Sequence, residues 1–235
     1  MPDILMRFLK DPLGFIKRVF YKTFIGPKKY GREDDYDAAR YWDDRLSKYG
    51  DSLRGVGDEG KSDSDNVKEY VRDEKIFTDL LNSLNLEYDK IRVLDIGCGT
   101  GFYADILRRL GVRDYTGIDI TDTLFEKHRQ NLPNFKFVKM DFTTGKHTGQ
   151  YDLIIMIEVL EHIVNDDKFT FAMDNIKSCL DENGVFVISS VWKSGGKHMF
   201  YVRKWTLDEI RAAFSDYKIS PLIPFRSSNM ITITK

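Results

Sequence analysis

Cysteine is scarce. Cys98 and Cys179 are the only two in 235 residues, too few for a disulfide framework and without metal-ligand spacing. That excludes a cross-linked secreted scaffold and suits a reducing compartment. No run of about 18 apolar residues occurs, so no transmembrane helix is expected. The opening MPDILMRFLKDPLGFIK has neither the uninterrupted apolar core nor the small-residue cleavage site of a secretory signal. A cytoplasmic location is the default expectation. Internal repeats and low-complexity tracts are absent as well, which excludes a solenoid or a fibrous chain. Net positive charge is missing from the body: residues 1–31 hold seven Lys or Arg against Asp3 and Asp11. With a whole-chain charge of −1, that leaves the arm at +5 and the rest at −6. A nucleic-acid footprint needs a basic face on the main domain, so nucleic acid is not the expected partner.

The arm is patterned. Ile4, Leu5, Phe8, Leu9, Phe15, Ile16, Val19 and Phe20 recur at near-helical spacing. This predicts two short amphipathic helices broken at Pro12 and Gly14 and ended by Gly26 and Pro27. Two uses stay open for such a face: packing on the chain's own body or on a second copy, or peripheral attachment to an anionic membrane. Residues 33–49 predict a polar helix with Tyr36, Tyr41, Trp42 and Leu46 as buried positions. The glycine-rich stretch GDSLRGVGDEGKSDSDN predicts a loop, and Val67 to Leu84 an amphipathic helix.

From residue 91 the texture changes. IRVLDI, DYTGIDI, FKFVKMD, YDLIIMIEV, GVFVIS and NMITITK alternate with the helical patterns ADILRRLG, TLFEKHRQNL, FTFAMDNIKSCL and TLDEIRAAF. Alternation of this kind predicts βαβ units, and so an α/β fold with a parallel sheet covered on both faces. Three segments follow: a basic arm over 1–31, a helical cap over 32–90 and an α/β domain over 91–235.

The first predicted strand runs into VLDIGCGTG, where Asp95 precedes glycines at 97, 99 and 101. A nicotinamide or flavin fingerprint would place its third glycine where Phe102 stands, and no Gly-Lys-Ser/Thr follows to make a P-loop. Bare backbone at a strand's carboxyl end lets a ligand approach closely. Asp119 closes the second strand, where an acid grips the two hydroxyls of a ribose. Asp141 closes the third, placed to accept from an adenine amino group. Singly, the glycines read as a tight turn and each Asp as a helix cap. In order, at successive strand ends, they exceed what turns require.

Through VLDIGCGTG, GIDI, VKMDF, YDLIIMIEVLEHI and NGVFVISS, residues 91 to about 215 resemble the class I S-adenosylmethionine-dependent methyltransferases. The resemblance implies a Rossmann-like three-layer sandwich with a mostly parallel seven-stranded sheet. Its last strand, NMITITK, would be antiparallel, and the helical extension would precede it. The resemblance also implies S-adenosyl-L-methionine as cofactor. Asp95, Gly97, Cys98, Gly99 and Gly101 would lie under its methionine part, Asp119 would hold the ribose with Ile120 beside it, Asp141 and Phe142 would border the adenine, and Glu158 would be a further contact.

A hydroxyl acceptor needs its proton removed. Glu158, Glu161 and His162 in EVLEHI stand at i, i+3 and i+4, on one face if the chain turns helical there. Three readings stay open. His162 is a base whose proton affinity a neighbouring carboxylate raises; or the three groups bind a divalent cation; or the stretch is structural. A Glu-x-x-Glu-His run resembles that of quinone-pathway and small-RNA methyltransferases, where it is metal-linked. His198 lies on a predicted loop overhanging the acceptor, as a ligand, a polar contact or an exposed group. His128 and His147 receive no role. Tyr41, Trp42 and Arg54 are the lid candidates, with ordinary helix packing the alternative for the first two. The expected activity is O-methylation of a small molecule such as a sugar or lipid-linked intermediate. N-methylation, RNA 2′-O-methylation and a non-catalytic cofactor-binding subunit are the alternatives.

Overall fold

In a computed structural model that describes residues 8, 9 and 11–235, residues 8 and 9 of the arm are helical, the backbone leaves the helix at Asp11, and a continuous helical run follows from Pro12 to Tyr30. Expectations for Ile4, Leu5 and the other residues of 1–7 and 10 lie outside the described residues. The Asp11 carboxylate accepts the Gly14 N–H and caps α1, Pro12–Phe20. Pro12 sits in the first turn, where a missing N–H costs nothing. A wide π-type turn, Tyr21–Ile25, leads into α2, Gly26–Tyr30. Pro12 and Gly14 do not themselves break the pattern: they stand in the first turn of α1, and the expected break between two helices falls just ahead of them, at Asp11. Gly26 and Pro27 do not end the segment either, because both are buried in the first turn of α2. A Cβ on Gly26 would stand 2.5 Å from the Phe200 ring, so that close approach needs a glycine.

No side chain of α1 is buried. Leu9, Leu13, Ile16, Val19, Phe20 and Phe24 are all exposed, which corrects the expectation that this face packs on the chain's own body. Among the described residues no helix is long and apolar enough to cross a membrane.

In the cap, Asp37 caps α3, Ala38–Tyr49, which buries Tyr41 and Leu46. A short α4, Leu53–Val56, interrupts the expected loop. Ser62 then caps α5, Asp63–Ser83, whose Phe77 and Leu81 are fully buried beside Val93 and Leu107 of the α/β core.

The remaining elements alternate as predicted. They are β1 (Arg92–Ile96), α6 (Phe102–Leu110), β2 (Asp114–Asp119), α7 (Phe125–Asn131), β3 (Lys136–Lys139), β4 (Tyr151–Met156), α8 (Asp166–Cys179) and β5 (Leu180–Trp192). After these come β6 (Gly196–Met199), β7 (Val202–Thr206), α9 (Leu207–Ala213), β8 (Lys218–Ile219), β9 (Ile223–Phe225) and β10 (Ser228–Thr234). A capping box between Thr206 and Glu209 opens α9, as the sequence predicts.

The sheet runs in the order β3-β2-β1-β4-β5-β10-β8. Its first five strands are mutually parallel, and β10 is antiparallel to both neighbours. The expected seven-stranded Rossmann-like sheet is therefore present. Residues 193–205 are not a loop: β6 and β7 form a hairpin, and β7 continues the sheet beside β5. Their polar composition hides the alternation that would have marked them.

Successive residues point to opposite faces of a strand, so Leu94, Ile154 and Phe186 build one core layer. Val93, Leu153 and Val187 build the other. The parallel strands all end at one edge, which brings the loops after β1, β2, β3 and β4 together.

Candidate functional site

The glycine loop folds back at once over β2. The Ile118 carbonyl accepts the N–H groups of both Gly97, at 2.7 Å, and Cys98, at 3.1 Å. Gly97 has φ +77, and a Cβ there would stand 2.3 Å from Cγ2 of Val159. Its bare backbone is thus a steric requirement of the loop after β4. His128, given no role by the sequence, is buried beneath the loop and bonds the Gly99 carbonyl through Nε2 at 2.8 Å. A carbonyl only accepts, so Nε2 carries the proton.

Asp119 Oδ2 accepts the Gly99 N–H at 2.9 Å and Oδ1 the Thr121 N–H at 3.1 Å. Burial pushes its pKa up, against those backbone donors. Asp141 Oδ1 accepts the N–H and hydroxyl of Thr143 at 2.9 and 2.5 Å, so it caps its own turn. Asp119, Asp141, Gly97, Cys98, Gly99, Ile120, Phe142, Glu158 and His162 all line one cavity of about 150 Å³. Asp95, Gly101 and Glu161 are not among its lining residues. Asp95 lies beneath the loop, where Tyr115 donates to it at 2.7 Å and burial lifts its pKa to about 7.

The cap closes the other side through Tyr36, Trp42, Leu46 and Val56. Thr121 and Thr123 hydroxyls hold Asp43 of α3 at 2.9 and 2.8 Å, pinning this roof beside Asp119. Of the three lid candidates Trp42 faces the cavity. Tyr41 and Arg54 face away from it, toward a second cavity. His198 is exposed, and His147 bonds the Tyr151 hydroxyl at 2.8 Å.

EVLEHI is not a helix. Only Leu160–His162 makes a 3₁₀ turn, and Glu158 takes a left-handed backbone with φ +58. Ser189 and Ser190 hydroxyls each donate to Glu158 Oε1 at 3.0 Å, and Arg226 approaches Oε2 at 3.4 Å. Arg226 also pairs with buried Asp73 at 2.7 Å. Ser190 and Arg226 share the left-handed backbone. Strained residues gathered at one place mark a site that the surrounding fold over-determines.

Burial and the nearby Glu161 raise Glu158 to about 7, against Arg226 and the serines. His162 moves the opposite way. Its ring lies between Trp42 and Tyr201, its Nδ1 bonds the Tyr201 carbonyl at 3.0 Å, and burial lowers its pKa to about 4. This corrects the expectation of a raised proton affinity. Glu161 stands 4.0 Å from Nε2 but is pushed up by its own burial, so desolvation of the ring prevails.

The metal reading does not fit these groups. Both Glu158 oxygens have donors, Glu161 is outside the cavity, and His162 Nδ1 is occupied. Among the described residues no three His, Cys, Asp or Glu gather as ligands would.

Tyr36, Tyr70, Tyr103 and Arg226 also line the cavity; the sequence reads Tyr36 and Tyr70 only as helix-packing positions and gives no sign of Tyr103 or Arg226. The Tyr36 and Tyr103 hydroxyls are buried without a partner among the described residues. Arg226 carries no sequence signal, because it reaches the cavity only through the turn between β9 and β10.

The family described as a methyltransferase domain matches residues 38–222. A ubiquinone biosynthesis O-methyltransferase of Pelagibacter ubique (strain HTCC1062) is 27% identical over 177 residues, 71% of this chain and 72% of that protein. One from Psychrobacter cryohalolentis (strain ATCC BAA-1226 / DSM 17306 / VKM B-2378 / K5) is 24% identical over 144 residues, 58% of this chain and 54% of its own length. The chain spans about half the length of the first curated relatives it matches. Among solved structures, magnesium protoporphyrin IX methyltransferase of Synechocystis PCC 6803 superposes with a TM-score of 0.64 at 19% identity. That match covers 85% of this chain and 100% of the other.

Proposed function

Because the chain belongs to the family of methyltransferase domains, we propose that it transfers a methyl group from S-adenosylmethionine to an acidic hydroxyl of a small molecule. The observation that carries this reading is Asp119 at the cavity wall, its carboxylate held beside the bare glycine loop by two backbone N–H groups. In this reading Asp119 and Ile120 take the ribose, Asp141 and Phe142 border the base, and the loop from Gly97 to Gly99 passes under the chain that bears the sulfur. The two unpartnered hydroxyls, Tyr36 and Tyr103, gain partners from a polar ligand. The bound cofactor supplies the electrophilic methyl. The protein's part is to hold the acceptor oxygen in line and to exclude water.

Proton removal falls to Glu158 in preference to His162. A phenol ionises near pKa 10, about three units above Glu158 and about six above His162. Proton transfer therefore costs about 4 kcal/mol to the first and about 8 kcal/mol to the second. An aliphatic hydroxyl, like water, ionises far above a phenol, so transfer of its proton to Glu158 costs much more. The cavity therefore suits a phenolic acceptor better than the expected sugar. The name of the quinone-pathway relatives, O-methyltransferases, supports the same choice. The exposed apolar face of α1, with Lys17, Arg18 and Lys22 on the same segment, supports peripheral contact with an anionic membrane, from which a lipid-linked phenol would be drawn.

Calorimetry with S-adenosylhomocysteine tests the core of this reading. Asp119→Ala is expected to weaken binding by about 1–3 kcal/mol. Unchanged affinity would remove Asp119 from the site and the reading with it. Release of S-adenosylhomocysteine with phenols, but not with sugars, is the expected acceptor profile.

A further inference from the structure

A second cavity, of about 560 Å³, lies between the arm and the cap. It backs onto the first through a wall of rings. Tyr41 and Tyr201 line the second cavity, while Trp42 and His162, in ring contact with them at 5.3 and 5.9 Å, line the first.

Its charge is out of balance. Lys29 is paired with Asp44 and Arg18 with Asp11. Lys17, Lys22, Arg45, Lys48 and Arg54 also line it, and among the described residues none of them pairs with a carboxylate. Glu59 is the remaining acid on the wall.

Two of the cations are guanidinium groups, one buried and one half-buried. Arg45 is only 9% exposed, and it spends its donors on the neutral carbonyls of Gly55, at 2.5 Å, and Gly57, at 2.7 Å, and on the Tyr41 hydroxyl, at 2.9 Å. Arg54 donates through one Nη to the Glu59 carbonyl at 3.3 Å, and among the described residues its buried Nε has no acceptor. A buried charge without a counter-ion is costly, and so is an unmade hydrogen bond. An anion in the cavity removes both costs. Five cations against one acid leave an excess that a single carboxylate does little to offset, whereas a phosphoryl group offsets two or more of those charges and suits the planar donors of arginine.

We propose that this cavity binds a phosphomonoester or diphosphate group, with Arg54 and Lys48 as its donors from the cap and Lys22 from the arm. Two sources present that chemistry, a soluble phosphate ester and the phosphomonoester headgroup of a lipid. The site stands on its own charge and geometry, independent of methyl transfer next door.

The test uses the full chain and two probes: inorganic pyrophosphate by calorimetry, and co-sedimentation with phosphatidylcholine vesicles containing phosphatidate or, at equal charge, phosphatidylserine. Lys48→Gln/Arg54→Gln is expected to weaken binding about tenfold or more. Lys28→Gln, the same kind of change outside the cavity, should leave it unaltered. Sensitivity of pyrophosphate binding to the double variant assigns a soluble ester, and sensitivity of phosphatidate binding alone assigns a lipid headgroup. If neither probe responds to the double variant, or Lys28→Gln costs as much, the attraction is general and the proposal falls. Urea midpoints and S-adenosylhomocysteine affinity, read on the same variants, separate that failure from misfolding and from failure of the methyl-transfer reading.

Discussion

Replacing Gly97 by alanine probes the contact that shapes the cofactor loop. Two costs add at this position. Placing an L-residue at φ +77 costs about 1–2 kcal/mol. The new methyl also sits 2.3 Å from Cγ2 of Val159, an overpacking that costs about 1–3 kcal/mol more. Gly111 separates the two, because it has φ +102 with nothing within 4 Å of its would-be Cβ. Gly111→Ala should therefore cost only the backbone part. Gly97→Ala should cost about 2–5 kcal/mol in urea unfolding at constant m-value. It should also weaken S-adenosylhomocysteine, since the displaced loop carries the Gly99 N–H that Asp119 holds. Val159→Ala removes the obstructing methyl, so the double variant should recover about 1–3 kcal/mol relative to additivity. A coupling energy within about 0.5 kcal/mol of zero, or Gly97→Ala no worse than Gly111→Ala, would refute the steric account of the loop.

Stability against pH should reveal the opposed shifts of His162 and Glu158. A histidine lowered from 6.5 to about 4 stabilises the fold above pH 6.5, and that contribution is lost as pH falls toward 4. A carboxyl raised from 4.5 to about 7 stabilises below pH 4.5, and that is lost as pH rises toward 7. Each amounts to about 3 kcal/mol over its full window. Relative to wild type, His162→Gln should therefore gain stability on acidification from pH 6.5 to 4.5 and Glu158→Gln should lose it; parallel curves would mean that neither shift exists. Arg226→Met should destabilise by about 3–5 kcal/mol, because it strands buried Asp73, and Asp73→Asn in the same chain should recover part of that loss. Leu13→Ser/Phe20→Ser should lower partitioning to anionic vesicles at least tenfold, at about 1.5–3 kcal/mol for each large apolar group fully removed from lipid. Unaltered partitioning alongside a lost dimer would assign the face to a second copy of the chain.

The strands, their order of appearance and the edge where the ligand loops meet were legible because they are local. A short stretch built on Ile91, Val93, Leu94 and Ile96 and followed by three alternate glycines makes a buried strand and a tight turn whatever lies far away. Asp119 and Asp141 needed only the rule that parallel strands end at one edge. The hairpin β6–β7 was missed, because its residues are polar and short-paired and take their structure from β5.

The sequence by itself determined the α/β sandwich, the cofactor loop and the acids at the strand ends, since those follow from periodicity and from what glycine permits. Only the tertiary structure decided the proton affinities of Glu158 and His162, the arrival of Arg226, and which side of the arm faces water. Each of these depends on desolvation by groups distant in the chain, as His162 depends on Tyr201 and on Trp42. Burial by remote neighbours leaves no mark on local spacing.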